Sequence, residues 1–180
     1  MDAPLLIACM GVAARIGIAC LFAVAAAGKL RRPADWEAAV AAYRLLPDAL
    51  VTPFARILPP LEIAVAAALV AGPGAALAAG AALLLLFAGA MAANLLRGRR
   101  AIDCGCDPAA RPRPIGWGMV ARNVALAAGL LVGLIPAPAL PPPMLIAAGG
   151  AGLLLCLVGH ILSLLASLGA PRPAAAPGVR

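Results

Sequence analysis

Asp103-Cys104-Gly105-Cys106-Asp107-Pro108 is a polar island in a chain otherwise dominated by Ala, Leu, Gly and Val. Two thiols separated by one glycine admit three readings: a redox pair, part of a metal site, or loop cysteines with no chemical role. A structural zinc site takes four ligands, and no histidine or further cysteine lies nearby in sequence, so no metal is expected. A disulfide within the pair is feasible because glycine tolerates the backbone conformations that a very tight ring demands. Strain in such a ring makes it easily reduced and a good exchanger. Arg100, Arg111 and Arg113 favour the thiolate, while Asp103 and Asp107 oppose it.

The second set of reactive side chains lies inside apolar runs: Arg15, Glu62, Asn94, Arg122, Asn123 and His160. A charge at the bilayer centre costs roughly 2.5–3.5 kcal/mol on insertion scales, so such residues face the bundle interior and pair. Glu62, Asn94, Arg122 and Asn123 fall toward one end of their helices and are expected to form one polar layer near the cysteine segment. Two roles are open for it. It is a structural ion pair of Glu62 with Arg122 or Arg15, or a polar floor that positions a quinone head group or tunes the thiols. His160 reads as a hydrogen-bonded structural residue. Cys9 and Cys20 are three helical turns apart on one face, too far to bond to each other; with Cys156 they read as small apolar packing residues.

The elements that must position these residues follow from composition. The chain is 64% hydrophobic and 12% charged, too apolar for a water-soluble interior of 180 residues. The expected fold is an all-α membrane protein, a four- to five-helix transmembrane bundle with an amphipathic interfacial helix after the first crossing. Spans are expected at about 5–27, 54–71, 75–96, 115–135 and 144–168, forming one domain over 1–168, followed by a disordered Pro/Ala-rich tail at 169–180. The first run lacks the preceding positive charge of a signal peptide and reads as a retained helix. In "PADWEAAVAAYRLLP", Pro33 starts a surface helix, Asp35 and Glu37 suit its first turn and Pro47 stops it. "AGPGA" at 71–75 divides a run too long for one crossing.

The net charge of +7 sits between the apolar runs, so it reads as a topology and lipid-headgroup signal. With only 3% aromatic residues the chain lacks base-stacking surfaces, and no nucleic-acid partner is expected. Five crossings with an external N-terminus put the arginine-rich connections, and with them Cys104 and Cys106, at the cytoplasmic face.

"AAGKLRRPADWEAAVAAYRLLPDAL", "LPPLEIAVAAALVAG", "CGC" and "RNVAL", in that order from about Arg15 to Leu134, resemble the methylamine utilisation protein MauE family, within the broader DoxX-like membrane proteins. The resemblance implies a small helical bundle of the bacterial inner (cell) membrane with a redox association. It implies assistance to the maturation of methylamine dehydrogenase, whose disulfide-rich small subunit is finished in the periplasm. Cys104 and Cys106 match the family's cysteine pair. Lys29, Tyr43, Pro47, Glu62, Arg122 and Asn123 match its other recurrent residues. The family often continues C-G-C-F-G where this chain has C-G-C-D-P, which stiffens the segment and adds charge. Periplasmic disulfide work also wants the pair outside, against the arginines.

Three functions follow as expectations. The first is a thiol–disulfide accessory protein acting through Cys104 and Cys106, with Lys29, Glu62, Asn94, Arg122 and Asn123 as the supporting layer. Its partner would be a periplasmic redox client or a thioredoxin-like protein. The second is a non-catalytic assembly factor, and the third a quinone-linked oxidoreductase subunit.

Overall fold

Six helices follow one another along the chain: α1 (Ala3–Arg31), α2 (Pro33–Tyr43), α3 (Asp48–Ala71), α4 (Gly74–Leu96), α5 (Trp117–Val132) and α6 (Pro142–Leu168). The computed structural model describes residues 2–72, 74–102 and 114–168. Cys104 and Cys106, Arg111 and Arg113, and the tail at 169–180 lie outside the described residues. Four helices, α1, α3, α4 and α6, are long and apolar enough to cross a membrane. The shorter α5 is 16 residues, about 24 Å at the helical rise of 1.5 Å per residue. It starts at Trp117 because Gly116 is extended, and it closes at Gly133.

Helix α1 is the hub of the bundle, packing against α2, α3, α5 and α6, while α4 rests on α3 and α5. In hydrocarbon there is no hydrophobic drive between helices, so association depends on close packing through small residues. Gly80 of α4 leaves room for Leu130 of α5, whose Cδ1 lies 2.9 Å from where a Cβ would stand. Leu77 meets Gly133 one turn away. These two pairs make α4 and α5 antiparallel and fix their register. Large apolar side chains such as Leu86, Leu131, Leu154 and Ile161 point outward, an arrangement suited to lipid and not to water.

Helix α3 begins at Asp48, six residues before the expected start, and runs unbroken through Pro53, Pro59 and Pro60. Proline at position i removes the donor for the carbonyl at i−4, so Pro59 deprives the Ala55 oxygen of its partner. The Trp36 indole Nε1–H donates to that oxygen at 2.9 Å. A side chain from α2 thus supplies one of the hydrogen bonds that the prolines remove from α3. Trp36 and Val40 form the buried stripe of α2.

Helix α2 ends at Tyr43, before Pro47. Arg44 takes a left-handed conformation (φ 49°, ψ 42°), and Pro47 becomes the N-cap of α3. Two carbonyls at the end of α2 are satisfied from a distance by Arg99, which helps the helix stop early.

Candidate functional site

Lys29 stands in the last turn of α1, where a cation also suits the helix dipole. Helix α1 extends one turn beyond the expected end at residue 27, and that turn carries the ammonium inward. Antiparallel α3 presents Glu62 opposite it, just after the Pro59-Pro60 step. Lys29 Nζ forms an ion pair with Glu62 Oε1, and the two residues are 3% and 0% exposed. The ammonium also lies 4.7 Å from the Trp36 ring centroid and 5.1 Å from that of Phe87. One cation therefore meets a carboxylate and two aromatic faces, drawing α1, α2, α3 and α4 to a single point. Desolvation strengthens both kinds of contact. Glu62 Oε2 is buried and has no hydrogen-bond partner among the described residues, so the carboxylate retains acceptor capacity.

Asn123 is buried on the face of α5 that also carries Ala127 and Leu130. The α4–α5 register, with Gly80 against Leu130 and Leu77 against Gly133, sets Asn123 level with Phe87 and hence with the charge pair. Asn94 lies on the same face of α4 as Phe87, two turns farther along. It is fully buried and belongs to a separate network. Its Nδ2 donates to the Ala90 carbonyl at 3.2 Å, and its Oδ1 accepts from Arg99 Nη1 at 2.9 Å. The Arg99 guanidinium also donates to the Tyr43 and Ala42 carbonyls at 3.1 and 2.9 Å. Arg99 thereby ties the end of α4 to the end of α2. Close by in the chain, the Ile115 N–H donates to the Ile102 carbonyl at 3.0 Å. Both isoleucines are buried with Met91 and Leu95. These contacts pin the two ends of the segment that contains Cys104 and Cys106.

The single expected polar layer is therefore two groups: buried Lys29 and Glu62 with buried Asn123 at their level, and buried Asn94 with half-buried Arg99. The ion-pair partner of Glu62 is Lys29, in place of Arg122 or Arg15. Arg122 is exposed, because Asn123 faces the interior and the preceding residue is turned about 100° away on a helix of 3.6 residues per turn. Arg15 is half-buried near the other end of the bundle, against the α3 cap residue Gly72 (φ +94°). There it helps line a cavity of about 400 Å³. Arg99 belongs to an arginine-rich connection that carries a topology signal in the sequence, and its reach to α2 is non-local, with no local signature. Cys9, Cys20 and Cys156 are half-buried free thiols, and His160 is half-buried on α6.

Apolar helices long enough to cross a bilayer, lipid-suited outer faces and a sealed charge pair define a multi-pass, all-helical membrane protein. The family model described as methylamine utilisation protein MauE matches residues 5–136, and the chain belongs to the MauE family. It is 43% identical to the methylamine utilization protein MauE of Paracoccus denitrificans, over 87% of this chain and 84% of the relative. It is 44% identical to the MauE of Methylophilus methylotrophus over 68% and 67% of the two chains. Against the MauE of Methylorubrum extorquens it is 42% identical over 77% of each. No solved structure matches the chain.

Proposed function

We propose that this protein is an inner-membrane accessory of methylamine utilisation that performs thiol–disulfide exchange through Cys104 and Cys106, supporting maturation of an exported redox enzyme such as a methylamine dehydrogenase. The observation that carries the reading is the pinned base of the cysteine segment, with Ile115 bonded to Ile102 and Arg99 clamped onto α2 and Asn94. A thiol pair that exchanges with a protein partner benefits from a rigid support, since positioning errors of about 1 Å are costly to reactivity. The printed names of the relatives supply the metabolic setting. The Lys29–Glu62 cluster serves the site indirectly, by fixing the helices from which the segment departs.

In exchange, a thiolate of the pair attacks a partner disulfide, forms a mixed disulfide and is released by attack of the second thiol. Two electrons pass to the partner, and the Cys104–Cys106 disulfide remains. The test is alkylation of Cys104 and Cys106 in membranes after mild oxidant and after mild reductant. Two interconverting forms, one with both thiols protected and one with both alkylated, are expected. A pair that is alkylated equally under both conditions overturns the reading.

A further inference from the structure

Helices α1 and α6 pack as a parallel pair: Ile7 and Leu145, near their respective starts, line the same cavity. Their backbones touch farther along. A Cβ on Gly152 would lie 2.1 Å from the Ala13 carbonyl oxygen, and one on Gly17 would lie 2.9 Å from the Gly152 oxygen. Proceeding one turn from this crossing reaches Cys20 on α1, three residues after Gly17, and Cys156 on α6, four after Gly152. With Gly149 against Ile16 and Gly152 between Ala13 and Gly17, the parallel register sets the two cysteines level with each other on the facing sides of α1 and α6. A disulfide needs Cα atoms about 4.4–6.8 Å apart, a separation that only helices in backbone contact provide. Both residues are half-buried, and Val24, Leu153 and Leu157 around them are exposed on the outer face of the bundle. The thiols therefore open toward the hydrocarbon of the membrane.

We infer that Cys20 and Cys156 form a second redox site, distinct from Cys104 and Cys106, in which two thiols are oxidised to an interhelical disulfide by a lipid-soluble quinone. Two S–H bonds break and one S–S bond forms. The two electrons and two protons pass to the quinone, which leaves as the hydroquinone. A lipid-soluble acceptor is required because the pair faces acyl chains, where polar oxidants do not partition. Helix α6 packs chiefly on α1, so the bond would lock α6 to the bundle, and reduction would release that lock.

The test uses the full-length chain in nanodiscs of phosphatidylethanolamine and phosphatidylglycerol, reduced, freed of reductant and kept anaerobic. Decylubiquinone is added, the sample is quenched in acid, denatured and alkylated, and its peptides are mapped by mass spectrometry. The expected result is loss of alkylation at both Cys20 and Cys156, with a Cys20–Cys156 linked peptide within one chain. Oxidised glutathione in place of the quinone is expected to leave both alkylated. Full alkylation after quinone, or links formed only between copies, overturns the inference. So does equal oxidation by glutathione, since the acceptor would then not need to be lipid-soluble. The Cys104→Ser/Cys106→Ser chain separates this site from the proposed exchange reaction. Undiminished Cys20–Cys156 linkage in that variant supports an independent site, and its loss overturns one.

Discussion

Lys29 and Glu62 hold the charge cluster together only as a pair. Removing one partner of a buried ion pair leaves an uncompensated charge, at a cost of about 3–5 kcal/mol. Glu62→Gln and Lys29→Met are therefore each expected to destabilise the purified protein by that order, read as a large fall in Tm in mild detergent. The double variant Lys29→Met/Glu62→Leu should recover much of the loss, because an apolar replacement removes both desolvation costs together. The sequence flagged Glu62 through the rarity of a carboxylate in an apolar run, and this part of the site was legible. The pairing was not: Lys29 joins the supporting layer only through the family resemblance, and Arg122 or Arg15 is the partner that the apolar runs suggest. The extra turn of α1 to Arg31 carries Lys29 inward to Glu62. Asn123 and Arg122 illustrate the same limit at a single step of helix: neighbouring polar residues, one buried and one exposed, distinguished by helix phase and not by composition.

Elements show where local rules yield to distant ones. Hydropathy and the AGPGA turn located α1, α3, α4 and α6 in the sequence, since each needs only a long apolar run. The span expected at 54–71 already contains Pro59 and Pro60; its earlier start at Asp48 and the donor that compensates for a missing N–H are not visible in the local sequence, because that donor comes from Trp36 on another helix. Trp36→Phe keeps the aromatic face over Lys29 and deletes that donor. It is expected to cost about 1 kcal/mol, the net worth of one hydrogen bond, measured as a modest shift in denaturant midpoint. The α1–α6 crossing was equally invisible, since glycines are abundant throughout the chain and nothing in their spacing marks Gly17 and Gly152 as a pair that meets backbone to backbone. Gly152→Leu should force α6 away from α1, and limited proteolysis of the α5–α6 connection should accelerate relative to wild type. Unchanged proteolysis would argue against tight α1–α6 packing.

At the scale of the molecule, the bundle is gathered from two ends. Near one end, Lys29, Glu62, Trp36 and Phe87 join four helices, and Arg99 fastens α4 to α2 beside the segment carrying Cys104 and Cys106. At the other, Arg15 lies against the cap of α3 and lines the cavity beneath the α5–α6 connection. The fold class was legible in composition because hydrocarbon leaves few alternatives to a helical bundle. The use of the cysteines rests on the resemblance and on the pinned base, because spacing alone serves several chemistries. The account stands most directly on one measurement: complementation of a methylamine-using bacterium lacking its own MauE with this chain and with its Cys104→Ser/Cys106→Ser variant, at matched abundance in the membrane. The account predicts that the wild-type chain restores accumulation of mature methylamine dehydrogenase and the variant does not. Equal restoration by both would contradict it.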